Sequence, residues 1–436
     1  MKAINNFIYP DHPMFETSVR SFLPQNIVVP FCQADGKEYE CTMEIGDKVH
    51  EGQTIAAPKG IISANGACIH SSVPGEIQTI VQCTLPDGKL SYAARIKTQG
   101  EFTFLGKKQN PVEWNLFSSA TLLEEFKSKG IVNTFLGKTV SLATEIRNCT
   151  LKKHRFVIVR MFDEDPSRYT DTLIASHFTE KVIEGAKIAA KAFEAEGIAF
   201  VLPKKADFTI AQELIDDNFY VTATADNTKY PAGFIHSLMR QVRKTSKIPE
   251  YERFINVNHK CLFLDPETCL SIYDAIVLGI PVIERFVHVT GTCLNSAGMF
   301  KVRLGTTIRD LVEQCGGFST PPSKIVINGL IRGNGIAELD IPITKMVKSI
   351  EFLPSRELCV QKSTSCIRCG RCRAICPEHL VPDLLYKMAS ENFILPRDIA
   401  ATARICGQCA LCNSVCPSRL SLCQTIALLN SGENNA

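Results

Sequence analysis

The chain has 436 residues, 45% of them apolar, with 48 basic against 45 acidic side chains. That length suggests about three domains with sizeable cores, and the near balance of charge excludes the clustered basic excess of a nucleic-acid binder. With no run of ~18 apolar residues and no charged-then-apolar leader, the protein is expected to be cytosolic or peripheral to a membrane, not spanning it.

Residues 1–105 read as a β-rich domain. MEIGDKVHEGQTIA (43–56) and HSSVPGEIQTIV (70–81) are short strand patterns with turns at Gly46-Asp47 and Pro74-Gly75. The pair resembles the sandwiched hairpins of biotinyl- and lipoyl-type domains. Lys59 lies between the halves, but its APKG context lacks the usual attachment signal, so a structural hairpin is expected.

Residues 106–260 alternate helix and strand. TLLEEFKSKG (121–130) reads as a helix and FVIVRMF (156–162) as a buried strand. The long amphipathic stretch 171–197 predicts one helix, IAFVLPK (198–204) a strand, and AQELIDDN (211–218) another helix. Such alternation predicts a Rossmann-like α/β layer with a mainly parallel sheet, a layer that often binds nucleotides at the carboxyl ends of its strands. Residues 261–350 change character. RFVHVTG (285–291), KVRLGTTIRDLVEQCGG (301–317) and KIVINGLIRG (324–333) predict a small sheet crossed by one threonine-capped helix ending at Gly316. Residues 352–365 read as a linker.

The last segment, 351–436, carries the chemistry. Of 19 cysteines, eight fall between Cys366 and Cys416. They form CIRCGRCRAICP (366–377) and CGQCALCNSVCP (406–417), which is C-x2-C-x2-C-x3-C-P given twice. Thiolates are the soft ligands that iron–sulfur clusters need, and three at this spacing hold three corners of a cubane from one loop. In two-cluster ferredoxins the fourth cysteine of each run ligates the other cluster. The spacing therefore predicts two [4Fe–4S] clusters. Cys366, Cys369, Cys372 and Cys416 are the metal ligands of the first; Cys376, Cys406, Cys409 and Cys412 are those of the second. Pro377 and Pro417 fix the backbone behind each crossing cysteine. Structural zinc would instead favour paired C-x2-C halves separated by a loop. PDLLYKMAS (382–390) and RDIAATARI (397–405) have helical periodicity. The other eleven cysteines, from Cys32 to Cys423, show no ligand-like rhythm and are expected to be packing residues in a reducing compartment. The apolar SLCQTIALLN (421–430) is expected to pack on the cluster helices rather than lie on a membrane.

The order of these pieces resembles the C subunit of the Rnf ion-translocating electron-transport complex, over nearly the whole chain. FIYPDHPMFE (7–16) and FLPQNIVVPF (22–31) are similar to the family's entry. GDKVHEGQTIA and SSVPGEI match its sandwiched-hairpin domain. IYDAIVLGIPVIERFVHVTG (272–291) and INGLIRGNGIAELDIPITK (327–345) flank a soluble-ligand-binding β-grasp (SLBB-like) domain, and the paired cysteine runs complete the order. The resemblance implies a multidomain α+β and α/β fold ending in a helical two-cluster ferredoxin-type domain. It also implies a peripheral subunit on the cytoplasmic side of the cell membrane. Its partners would be other membrane subunits of an Rnf-type complex and a soluble carrier, whether ferredoxin, flavodoxin or NADH. The protein would belong to an ion-translocating oxidoreductase.

The resemblance further implies an FMN/NADH site like that of the flavoprotein of complex I, built on a loop of the form GxGGAGFPT. Here residues 130–146 read GIVNTFLGKTVSLATEI. Only Gly130 and Gly137 remain, and Phe135, Leu136 and Val140 are expected to fill the space that a flavin ring needs. A second motif of the form ECEPY reads Asp163-Glu164-Asp165-Pro166-Ser167, with Asp171 at a downstream family aspartate. The nucleotide site is thus expected to be degenerate, and DEDP to be a solvated turn capping the next helix. Arg368, Arg371 and Arg373 surround the first cysteine run as a docking surface for an acidic carrier or as plain solvated surface. Two other readings stay open. One is a soluble iron–sulfur flavoprotein reductase of the corrinoid-reductase type, which also needs the flavin site. The other is an assembly subunit whose clusters are structural.

Overall fold

The computed structural model describes residues 18–431 apart from 34–37, 59–65, 136, 138, 205, 207, 209, 211–218, 228, 358–361, 392, 393 and 395. Lys59, Leu136 and the helix expected at 211–218 lie outside the described residues. The first strand, β1 (Val19–Arg20), belongs to a distant sheet. The next seven build the N-terminal domain: β2 (Asn26–Pro30), β3 (Glu40–Cys41), β4 (Lys48–Val49), β5 (Thr54–Ala57), β6 (Ile69–His70), β7 (Gly75–Thr84) and β8 (Leu90–Thr98). They form a four-stranded sheet in the order β2-β8-β7-β4 and a three-stranded sheet, β3-β5-β6. Ile27, Val29, Ile55, Ile69, Ile77 and Ile96 make the core of this domain, each fully buried.

The middle of the chain is α/β. Helix α1 (Ser119–Ser128) is capped by Ser118, whose hydroxyl accepts from the Thr121 amide. A small ribbon, β9 (Val132–Asn133) with β10 (Val140–Ser141), leads into α2 (Leu142–Arg147). The apolar runs then form β11 (Phe156–Arg160), β12 (Gly197–Pro203), β13 (Tyr220–Ala225) and β14 (Leu262–Leu264), all parallel, in the order β13-β12-β11-β14. Buried on both faces, β11 reads as a continuous apolar strand, as parallel sheets require. The amphipathic stretch 171–197 is two helices, α3 (Thr170–His177) and α4 (Thr179–Phe193), not one. Phe178 breaks the run, its ring meeting Phe286 at 5.6 Å between centroids. Helix α5 (Ile235–Thr245) covers the other face, and α6 (Pro266–Ile276), capped by Asp265, lies across α4. That crossing is close. A Cβ on Gly185 would stand 2.0 Å from the Cys269 carbonyl oxygen, so only glycine fits.

The boundary expected at residue 260 falls inside this layer. Leu262–Leu264 pairs with Val157–Val159 of β11 and α6 packs on α4, so the α/β layer runs on to about residue 276. Six strands then form a mixed sheet in the order β1-β16-β15-β19-β17-β18: β15 (Glu284–Thr290), β16 (Gly298–Arg303), β17 (Lys324–Ile327), β18 (Asn334–Ile336) and β19 (Ser349–Leu353), with β1 at the edge. Helix α7 (Ile308–Gln314) crosses it, opened by a reciprocal capping box between Thr307 and Asp310. This sheet and the α/β layer share one apolar core, from Val157 through Phe286 to Phe352. The C-terminal segment is helical: α8 (Arg371–Ile375), α9 (Pro382–Glu391), α10 (Arg397–Ala401), α11 (Leu411–Ser414) and α12 (Leu422–Ser431). Among the described residues no helix is long and apolar enough to cross a membrane.

Candidate metal centre

The two cysteine runs fold alike. Arg368 and Gly370 in the first, and Gln408 and Ala410 in the second, adopt left-handed backbone at φ 54, 74, 56 and 55°. Such alternation curls a loop so that its amides face inward, a concavity suited to an iron–sulfur cluster that is anionic once its thiolates are counted. Short helices follow each loop, α8 carrying Cys372 and α11 carrying Cys412. Arg373 clamps α8 to α9 by donating to both Asp383 oxygens at 2.6 and 2.7 Å, which takes it out of the free basic surface expected around the first run.

The fourth cysteine of the first run reaches the cysteines of the second. Cys376 lines one apolar cavity with Cys406, Cys409 and Cys412, walled by Leu380, Leu411 and Ile426. Cys366, Cys372 and Cys416 pack with Cys412 and Cys423 around Leu420 and Leu422, while Cys369 is exposed. Helix α12 buries Leu422 and Ile426 against these sites, so SLCQTIALLN packs as expected. Burial pushes the Cys409 thiol up to about 11 and the Cys412 thiol to about 12. A dry pocket of thiols that resist ionisation suits metal cores whose positive charge supplies the missing compensation. Among the described residues no three His, Cys, Asp or Glu side chains converge as around a single ion. A cubane asks for separation instead, each thiolate at its own corner.

Residues from other domains complete the second pocket. Pro231, Phe234, His236 and Ser237 close one side of it. The buried Tyr230 hydroxyl donates to the Cys409 carbonyl at 2.8 Å. Arg332, on the loop after β17, pairs with Glu164 and lies 5.1 Å over the Phe234 ring. Cys423, on α12, lines the same cavity and shares a hydrogen bond with the Cys406 thiol. None of Tyr230, Arg332 and Cys423 carries a spacing signal in the sequence; each reaches the site only through tertiary packing.

The parallel sheet is plugged at the carboxyl ends of β11 and β14. At the end of β11 the fully buried Arg160 donates to the Phe162 and Gly233 carbonyls at 3.0 and 3.1 Å and to Asp171 at 3.2 Å. Its guanidinium stacks 4.5 Å over the Phe135 ring. Beside it Lys348 donates to Asp171 at 2.7 Å and to Asp265, at the end of β14, at 2.8 Å. Thr134 donates to Asp265 at 2.8 Å. Burial pushes the Asp171 carboxyl up, while Lys348 and Arg160 overcome the same burial at Asp265 and hold it below the usual carboxylate range. Gly233 is pressed into this plug: a Cβ there would stand 2.9 Å from the Glu164 Cα.

Phe135 is a core residue, 5.6 Å from the Phe263 ring, and one expectation about the following acidic turn changes. The DEDP turn caps α3, Asp163 accepting from the Asp171 and Thr172 amides at 3.1 and 2.9 Å, but it is not solvated. Glu164 and Asp165 are buried because Arg160, Arg332 and the Ile331 amide pair with them. Gly137, Thr139, Val140, Glu164, Asp165 and Arg332 instead line a polar cavity that reaches Gln408 and Cys423. The plug fills the carboxyl ends of β11 and β14, so the residues at those two strand ends do not fit a flavin.

Comparison with known proteins gives a consistent picture. Residues 16–101 match the family model for the RnfC barrel sandwich hybrid domain, and residues 286–335 match that for the SLBB domain. The chain is 27% identical over 411 residues to the C subunit of the proton-translocating ferredoxin:NAD(+) oxidoreductase complex of Clostridium ljungdahlii, covering 91% of this chain and 88% of that protein. It is 23% identical to the C subunit of the Na(+)-translocating ferredoxin:NAD(+) oxidoreductase complex of Acetobacterium woodii, over 85% of this chain and 82% of that one. It is 24% identical to the C subunit of the ion-translocating oxidoreductase complex of Klebsiella pneumoniae, over 84% of this chain but only 48% of that longer protein.

Proposed function

Related over most of its length to the C subunits of ion-translocating oxidoreductase complexes, this chain is, we propose, the peripheral electron-transfer subunit of such a membrane complex, working through two [4Fe–4S] clusters and no flavin. Cys366, Cys369, Cys372 and Cys416 hold one cluster; Cys376, Cys406, Cys409 and Cys412 hold the other. The observation that carries the reading is the crossing of Cys376 into the pocket of the second triplet. It makes the two sites one folded unit, with neighbouring centres close enough to exchange electrons.

The clusters supply one-electron chemistry. The protein fixes their ligands, keeps water from the second pocket and places Cys369 of the first at the surface. The chain sits on the cytoplasmic face of the membrane and is held there by partner subunits. A soluble one-electron carrier, ferredoxin or flavodoxin, exchanges electrons with it, and the plug at the ends of β11 and β14 counts against NADH as a direct donor. That closure bears equally against a corrinoid-reducing flavoprotein, which needs the same site.

The test is anaerobic purification of the native complex, with iron and flavin assayed per copy of this chain and EPR recorded after dithionite reduction. Two interacting S = ½ centres and no flavin on this chain are expected. Stoichiometric FMN on this chain, with rapid bleaching of the clusters by NADH, would overturn the flavin-free reading. Clusters that resist reduction would favour a scaffolding role, and purification free of membrane subunits would argue for a soluble enzyme.

A further inference from the structure

Cys423 falls outside both runs, yet it sits 6% exposed within the wall of the second pocket. Its thiol shares a hydrogen bond with Cys406 and lies near Cys409 and Cys412, in one packed cluster with Cys366, Cys372 and Cys416. The position is held firmly. The Cys423 amide donates to the Asn413 side chain at 2.8 Å, and Asn413 donates to Gln424 at 2.6 Å. Asn413 directly follows the ligand Cys412, so the start of α12 is tied to the loop that holds the metal. Four thiols already line this cavity in the crossed set, which leaves Cys423 as a fifth.

We propose that Cys423 is a positioning residue for the second cluster: its thiol donates a hydrogen bond to the Cys406 sulfur and raises the reduction potential of that cluster. The inference rests on the assignment of Cys376, Cys406, Cys409 and Cys412 as cluster ligands. The direction of the bond follows from that assignment. A ligating Cys406 is a thiolate with no proton to give, so Cys423 is the donor. Reduction adds negative charge to the cluster and its sulfurs. A donor aimed at one of those sulfurs stabilises the reduced form more than the oxidised one, and so moves the potential upward. Cys423 also packs in one cluster with Cys366, Cys372 and Cys416, but its sulfur–sulfur hydrogen bond runs to Cys406, so the shift in potential is assigned to the second centre.

The experiment uses the full chain purified anaerobically as Cys423→Ala and Cys423→Ser, with iron content and an EPR-monitored redox titration for each. Both variants are expected to keep the native iron content. Cys423→Ala moves the midpoint of one signal to lower potential and leaves the other where it was. Cys423→Ser, which keeps a hydroxyl donor, stays nearer the native value than the alanine variant. An unchanged midpoint in Cys423→Ala would reduce the residue to packing, and loss of half the iron would make it a ligand; either result overturns the proposal. Absence of iron from the native protein would defeat the functional reading itself, which is a separate outcome.

Discussion

The Arg160 guanidinium lies 4.5 Å above the Phe135 ring, and both side chains are buried at the end of the central strand β11. A cation held over an aromatic face in a dry site attracts it strongly, and each partner fills volume that the other leaves. Phe135→Ala removes the ring and leaves Arg160 facing a void. The expected cost is about 3–5 kcal/mol, the usual range for a buried phenylalanine. Denaturant titration measures it, and added FMN is expected to give no compensating stabilisation.

Lys348 stands between Asp171 and Asp265, all three buried. Lys348→Met leaves two carboxylates facing each other without their shared cation. Breaking a buried pair by removing one partner costs roughly 3–5 kcal/mol. In the variant the carboxyl values rise above their unfolded ones, so the folded state binds more protons and the deficit shrinks on acidification. A deficit independent of pH would argue that Lys348 acts by packing alone.

Exchange between the cysteine runs is testable by substitution. Cys376→Ser and Cys409→Ser are expected to alter the same EPR signal, although they lie in different runs. Cys416→Ser and Cys369→Ser are expected to alter the other. Pairing of Cys376 with Cys369 in one signal would mean that each run holds its own cluster.

His70 lies buried beside Lys345 where the N-terminal domain meets the α/β layer, and Lys345 donates to the Cys68 and Gly130 carbonyls at 2.8 Å each. Burial, then the Lys345 charge, pulls His70 down to about 3. The unfolded chain therefore binds a proton that the folded one refuses between about pH 6.5 and 3. This contribution is fully present above the unfolded value and is lost as pH falls, at about 1.4 kcal/mol per pH unit. Stability measured at pH 6.5 and pH 5 is expected to fall by about 2 kcal/mol more in the native chain than in His70→Gln.

The cysteine runs were legible because ligand spacing is local, and the strand β11 because four apolar residues in a row, Phe156 to Val159, leave a strong signal. The end of the α/β layer was not. Leu262–Leu264 is three residues long and follows a long excursion from β13, and only its pairing with Val157–Val159 shows which sheet it joins. The DEDP turn reads as polar surface until Arg332, far along the chain, is seen against Glu164. Phe135 reads as an obstruction in a loop, whereas its ring belongs to the layer beneath. Cys423 was indistinguishable from the other scattered cysteines, because its meaning depends on where α12 lands. In each case the missing fact is a contact between residues distant in sequence.

The wall that Pro231, Phe234 and His236 place against Cys376 and Cys406 has a consequence for biogenesis. Iron and sulfide must reach the second pocket before the C-terminal segment docks on the α/β layer, whereas Cys369 leaves the first pocket open to late loading. Maturation is then expected to be ordered: an apo chain that has already folded regains its surface centre readily and its inner one only after partial unfolding. Time-resolved reconstitution followed by EPR, with and without mild denaturant, measures that order, and simultaneous recovery of both signals would refute it.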